Sequence, residues 1–117
     1  MINLLVLKEI EDSEKRVALV PDEIKKYLDL GFKVTIEKDA GIGAGFLNEY
    51  YRKHNADITQ NVKKSIKESD IIIKIQKPDL RIIKEMKTGT ILMGLLSPKK
   101  NSSENTFYNK KKPLPLH

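Results

Sequence analysis

The chain has 117 residues, a net charge of +6, 39% hydrophobic and 32% charged side chains. That is enough for one soluble globular domain, burying roughly 65% of the surface its unfolded form exposes. There is no cysteine, which excludes disulfides and thiolate metal sites, and His54 and His117 stand too far apart in sequence to suggest a histidine metal centre.

The charge is unevenly spread. Residues 1–98 hold 17 Lys/Arg against 15 Asp/Glu, whereas residues 99–117 hold five Lys against one Glu. Most of the basic excess therefore sits in the tail, and the body offers no broad cationic footprint for nucleic acid. The apolar runs are a few residues long, too short for direct insertion across a membrane. Met1 leads straight into a strand pattern rather than a secretory signal, so the cytoplasm is the expected location.

Strand-like and helix-like segments alternate along the body. Ile2–Leu7 is a short apolar run that suits a buried parallel strand. A charged loop follows, with Arg16 in it. Pro21 fits a first helical position, Asp22 and Glu23 suit the positive end of the helix dipole, and Gly31 fits the cap. Lys33–Glu37 reads as a second strand. Ala40–Phe46 is a glycine loop, and Asn48 is a candidate N-cap for the next helix. Ala56–Ile58 is a short third strand, and Asn61 opens another short helix. Ile71–Ile75 is the strongest strand pattern in the chain. Pro78 opens a helix running to about Lys87, closed by Gly89, and Thr90–Leu96 is a last apolar strand. The alternation predicts an α/β fold, a parallel sheet with helices on both faces. Residues 1–98 form this domain. Residues 99–117 show neither period and are expected to be a disordered basic tail.

Three features invite a site. Loops that follow parallel strands face the crevice where ligands bind, so Arg16 is either a solvated surface arginine or a fork for a carboxylate or phosphate. Lys74 sits in a run of isoleucines. It either reaches the crevice from a central strand or faces water from an edge strand. Gly41, Gly43 and Gly45 suggest a dinucleotide loop, but the third glycine of that fingerprint falls where Phe46 stands, and a plain turn is preferred. Lys110-Lys111-Lys112 is read as solvated. No catalytic set and no metal motif can be assembled.

An ordered series of motifs carries a resemblance. It comprises Lys8-Glu9-Ile10, Glu14-Lys15-Arg16-Val17-Ala18-Leu19, Pro21, Gly31-Phe32-Lys33-Val34, Glu37, Ala40–Phe46, Tyr50, Ala56-Asp57-Ile58, Asp70–Ile75, Pro78 and Gly89-Thr90. Over residues 1–98 the chain resembles the N-terminal domain shared by alanine dehydrogenase and the alpha subunit of proton-translocating NAD(P) transhydrogenase. The resemblance implies a domain that flanks a separate NAD-binding Rossmann domain. It also implies that Arg16 and Lys74 match residues that hold a substrate carboxyl and carbonyl. Where the dehydrogenases carry a tyrosine and a catalytic histidine, this chain has Leu95 and Ser97, so no catalytic residue is assigned. Ser97-Pro98 is closer to the transhydrogenase branch.

The implied function is the first part of a transhydrogenase alpha subunit, truncated or split, in an oxidoreductase and translocase that passes hydride between NAD(H) and NADP(H). The implied partners are the NAD-binding domain and the membrane and NADP-binding subunits, which would hold this chain peripherally at the inner membrane. No cofactor is expected on this chain alone. A second copy of the chain, forming a homodimer, is a further candidate partner. A fragment of alanine dehydrogenase and a free-standing small-anion binding module are the alternatives.

Overall fold

Five short segments, most of them apolar, line up as parallel strands. They are β1 (Ile2–Val6), β2 (Phe32–Glu37), β3 (Asp57–Thr59), β4 (Ile71–Lys74) and β5 (Thr90–Gly94). The sheet order is β3-β2-β1-β4-β5, and β6 (Thr106–Lys110) adds antiparallel to the outer edge of β5. The computed structural model describes residues 1–10, 14–76, 80–94 and, for the backbone, 106–110.

Helices α1 (Ile24–Asp29), α2 (Asn48–Lys53), α3 (Val62–Glu68) and α4 (Leu80–Glu85) connect the strands. Each has six or seven residues. Isolated helices need about 12–15 residues to persist in water, so these depend on burying one face against the sheet. Successive strand residues point to opposite faces, and the core divides accordingly. Leu4, Val6, Val34 and Ile36 meet Ile24 of α1 and Tyr51 of α2. Leu5, Leu7, Ile72 and Leu92 meet Ile66 of α3 and Met86, with Ile82 and Ile83 of α4 packed against them. The expected doubly covered α/β sheet is what forms.

This order has a consequence for ligands. From β1 the chain winds outward through β2 to β3, then returns to the other side of β1 with β4 and β5. β1 and β4 are therefore neighbours from which the connections diverge. A crevice opens at the carboxyl ends of strands at such a switch point.

Several local expectations shift. Pro21–Glu23 is a 3-10 turn, and the α-helix begins only at Ile24. Asn48 does not cap α2. Leu47 holds the N-cap position, and the Asn48 amide instead clamps Asp39, accepting from its backbone N–H at 2.9 Å and donating to Oδ1 at 2.9 Å. Asp39 has φ of 65°, so the clamp holds a left-handed turn that a residue with a Cβ adopts reluctantly. Asn61 does cap α3, accepting from the Lys64 N–H at 3.2 Å. Gly31 takes the expected positive φ, 93°, just past α1.

The tail differs at one place from the element-free stretch expected over residues 99–117. Thr106–Lys110 pairs with β5, from Thr90↔Lys110 to Gly94↔Thr106. The outer edge of a strand offers an open row of N–H and C=O groups, and the β-prone Thr-Phe-Tyr segment satisfies it. Pro78, Leu95, Ser97, Pro98, Lys111, Lys112 and the rest of the tail lie outside the described residues.

Candidate functional site

A crevice of about 1100 Å³ lies at the carboxyl ends of β1, β2 and β4. Its walls come from the loop after β1, the glycine loop after β2, and α3 and α4. Arg16 and Lys74 both line it. Seven lining side chains are basic and five are acidic, so the crevice is cationic on balance.

Lys74 ends β4, which is central rather than at the edge, and its side chain is 3% exposed. The edge-strand reading is thereby excluded. A buried ammonium demands a partner, and that partner is Glu9, whose carboxylate lies 3.3 Å away and is 4% exposed. Glu9 also accepts the backbone N–H of Ile75 at 2.8 Å and of Gln76 at 2.9 Å. One carboxylate thus joins the end of β1 to the end of β4 and orients the lysine between them.

Arg16 is 60% exposed, as a surface arginine would be, yet it is not loose. Its Nε donates to Glu14 at 2.7 Å and its Nη2 at 2.8 Å, a side-on fork on a carboxylate that is 4% exposed. Glu14 also accepts from the Arg16 backbone N–H and from the Gln76 side-chain amide. The Arg16 guanidinium, first of all, holds the Glu14 carboxyl down to about 2. Glu37, at the end of β2, goes the other way. Burial raises its carboxyl, against the Lys8 backbone N–H that donates to it at 2.7 Å.

The glycine loop borders the crevice, and four of its amides bond within the loop or to Asp39. Ile42 donates to Asp39, Ala44 and Phe46 to Gly41, and Gly45 to Ile42. Gly41 is required by close packing, because a Cβ there would lie 2.7 Å from the Tyr51 ring and 2.9 Å from the Phe46 carbonyl. Gly43 lies against the Lys15 backbone. Dinucleotide loops present free N–H groups to the pyrophosphate. Here Ile42, Ala44, Gly45 and Phe46 donate within the loop or to Asp39, and Phe46 stands where the third glycine of such a fingerprint falls.

Among the described residues no group of three or more His, Asp or Glu could hold a metal ion, and no helix is long and apolar enough to cross a membrane. Arg16 and Lys74 were readable from position and context. Glu9, Glu14 and Gln76 were not singled out, although a lysine among isoleucines calls for a carboxylate partner once it is buried.

The sheet order, the switch-point crevice and the two carboxylate-held cations that line it define an α/β domain with an open cleft at its strand ends. The family described as "Alanine dehydrogenase/PNT, N-terminal domain" matches residues 5–112, and the chain belongs to that family. The match continues past Pro98, where the texture of the sequence changes, and it takes in β6. Alanine dehydrogenase 1 of Staphylococcus aureus is 38% identical over 91 residues, which are 78% of this chain and 24% of that protein. The crystal structure of transhydrogenase from Sinorhizobium meliloti superimposes with a TM-score of 0.74 at 28% identity, covering 80% of this chain and 28% of that one. An L-alanine dehydrogenase structure gives 0.70 at 30% identity, covering 78% and 25%. The chain thus spans about a quarter of the length of these relatives.

The Glu14 carboxyl gives a pH prediction. Its folded pKa, about 2, lies below the ordinary glutamate value of about 4.3. The stability it contributes is therefore present above pH ~4.3 and is lost as the pH falls toward 2. Glu14→Gln should flatten the stability profile in that window relative to wild type, read by urea unfolding at successive pH values. Glu37 carries the opposite sign and persists in both proteins, so the difference between the two profiles isolates Glu14. Parallel profiles would show that the Arg16 fork does not persist in solution.

Proposed function

We propose that this domain holds a small carboxylate anion in its switch-point crevice through Arg16 and Lys74, as the N-terminal part of a transhydrogenase-type hydride-transferring oxidoreductase. The observation that carries the reading is that two cations far apart in sequence line one crevice, each held by a buried carboxylate. Glu14 takes the side-on fork of Arg16, which leaves the end-on fork for an incoming carboxylate. Lys74 supplies a point charge and rotatable donors deeper in the crevice. In this reading NAD(H) and NADP(H) are bound by other domains of the assembly, including membrane and NADP-binding subunits. This chain contributes a wall and an interface, and its boundary at about residue 98 marks the end of the anion-binding unit.

The transhydrogenase branch is supported by Leu95 and Ser97-Pro98, where a dehydrogenase would need an acid-base group. A second reading, part of an alanine dehydrogenase, is favoured by the 38% identity to the staphylococcal enzyme. Titration of isotope-labelled protein with pyruvate and acetate, followed by NMR, tests both. Shifts should concentrate at Lys8–Ile10, Glu14–Arg16 and Lys74–Gln76, and Arg16→Ala or Lys74→Met should abolish them. Equal affinity for the two anions fits the preferred reading. A clear preference for pyruvate, whose carbonyl gives Lys74 a second acceptor, fits the dehydrogenase. Shifts elsewhere, or none, would end the proposal for the site. NADH followed by fluorescence should show no saturable binding to this chain, and micromolar saturation would reopen the glycine loop as a phosphate site.

A further inference from the structure

We propose that Gln76 and Glu14 are positioning residues that set Arg16 at a fixed place relative to Lys74, without touching the ligand themselves. The proposal rests on the anion-site reading above. Its basis is a continuous hydrogen-bonded bridge. Glu9 pairs with Lys74 and accepts the backbone N–H of Gln76. The side-chain amide of the same Gln76 donates to Glu14 Oε1. Glu14 in turn grips Arg16 by Nε, Nη2 and the backbone N–H.

Gln76 is the pivot of this arrangement. It stands two residues beyond Lys74, just past the end of β4, and its backbone N–H is held by Glu9. Its amide reaches a loop 62 positions away in sequence. Without it, Glu14 and Arg16 remain paired with each other, but the pair loses its side-chain tie to the end of β4. A Glu14–Arg16 pair that can shift with its loop must be ordered when an anion binds, whereas one held by the bridge is already in place. Gln76 suits the task because it donates to a carboxylate and adds no charge of its own to the crevice.

Gln76→Leu keeps the volume and removes the donor. It should weaken pyruvate or acetate binding by about two- to tenfold, the entropic cost of ordering one long side chain on binding. The midpoint of urea unfolding should be nearly unchanged. The Arg16 Nε–H resonance reports the bridge without any ligand: it should exchange slowly in the wild type and faster in Gln76→Leu. Gln76→Leu combined with Glu14→Gln should cost less than the sum of the two single losses, because both break one bridge. Weaker binding together with faster Nε–H exchange supports the proposal. Unchanged affinity in Gln76→Leu, or Nε–H exchange that is the same in both proteins, overturns it. If the wild type binds neither anion, the anion-site reading fails and this proposal falls with it, even where the Nε–H resonance responds.

Discussion

Replacing Glu9 by alanine should destabilise the domain by about 3–5 kcal/mol, the range found when one partner of a buried ion pair is removed. Three groups lose their acceptor at once. The Lys74 ammonium, on a side chain 3% exposed, is left without its carboxylate, and the N–H groups of Ile75 and Gln76 lose theirs. Domains of this size are stable by about 5–15 kcal/mol in total, so the loss is a large share of the whole. Lys74→Met should cost less. Methionine fills the volume of the lysine stem, and Glu9 retains two amide donors. Adding Lys74→Met to Glu9→Ala should recover part of the loss, since the double variant no longer buries a lone charge. Urea unfolding of the four proteins supplies the cycle. Should Glu9→Ala stay within about 1 kcal/mol of wild type, water screens the pair and Lys74 is not held as described.

This pair also shows what the sequence could and could not reveal. Lys74 stood out because a charge interrupts an isoleucine run, and burial there implies a carboxylate. Nothing local says which one. Glu9 is 66 positions from the N–H of Ile75 that it accepts, and only the pairing of β1 with β4 brings them together. Arg16 was legible as a cation beside the crevice because the loop after a first parallel strand has a known destination. Its partner was not, since Glu14 in the same charged loop is indistinguishable by sequence from a solvated neighbour. The sheet was read with more success, because apolar runs bounded by turn residues recur at βαβ spacing. Asn48 was misassigned for a physical reason. Asparagine serves equally as a helix cap and as a clamp on a left-handed turn, and the Asp39 turn took it. β6 was missed because a five-residue edge strand borrows its order from β5 rather than from any period of its own.

The second large effect lies beneath the crevice rather than in it. Leu5, Ile72 and Leu92 are each 0% exposed, and their registers place them side by side across β1, β4 and β5. They form the floor on which Ile66 of α3 and Met86 pack. Ile72→Ala empties the middle of that row. The strands on either side are held by their backbone pairing, and a site that collapses poorly keeps most of its cavity. The expected loss is about 2–5 kcal/mol, against little change for Leu80→Ala, a side chain 80% exposed on α4. The midpoint of urea unfolding should fall with its slope unchanged. Anion affinity should survive in the folded fraction, because the side chain of Ile72 faces α3 and α4 while Lys74 and Glu9 keep their pairing at the strand ends. Ligand at 100 times its dissociation constant should then raise the stability of wild type and variant by the same ~2.7 kcal/mol. A variant that loses stability and anion affinity together would instead show that the crevice depends on the packing beneath it, and that the bridge from Glu9 to Arg16 does not hold the site by itself.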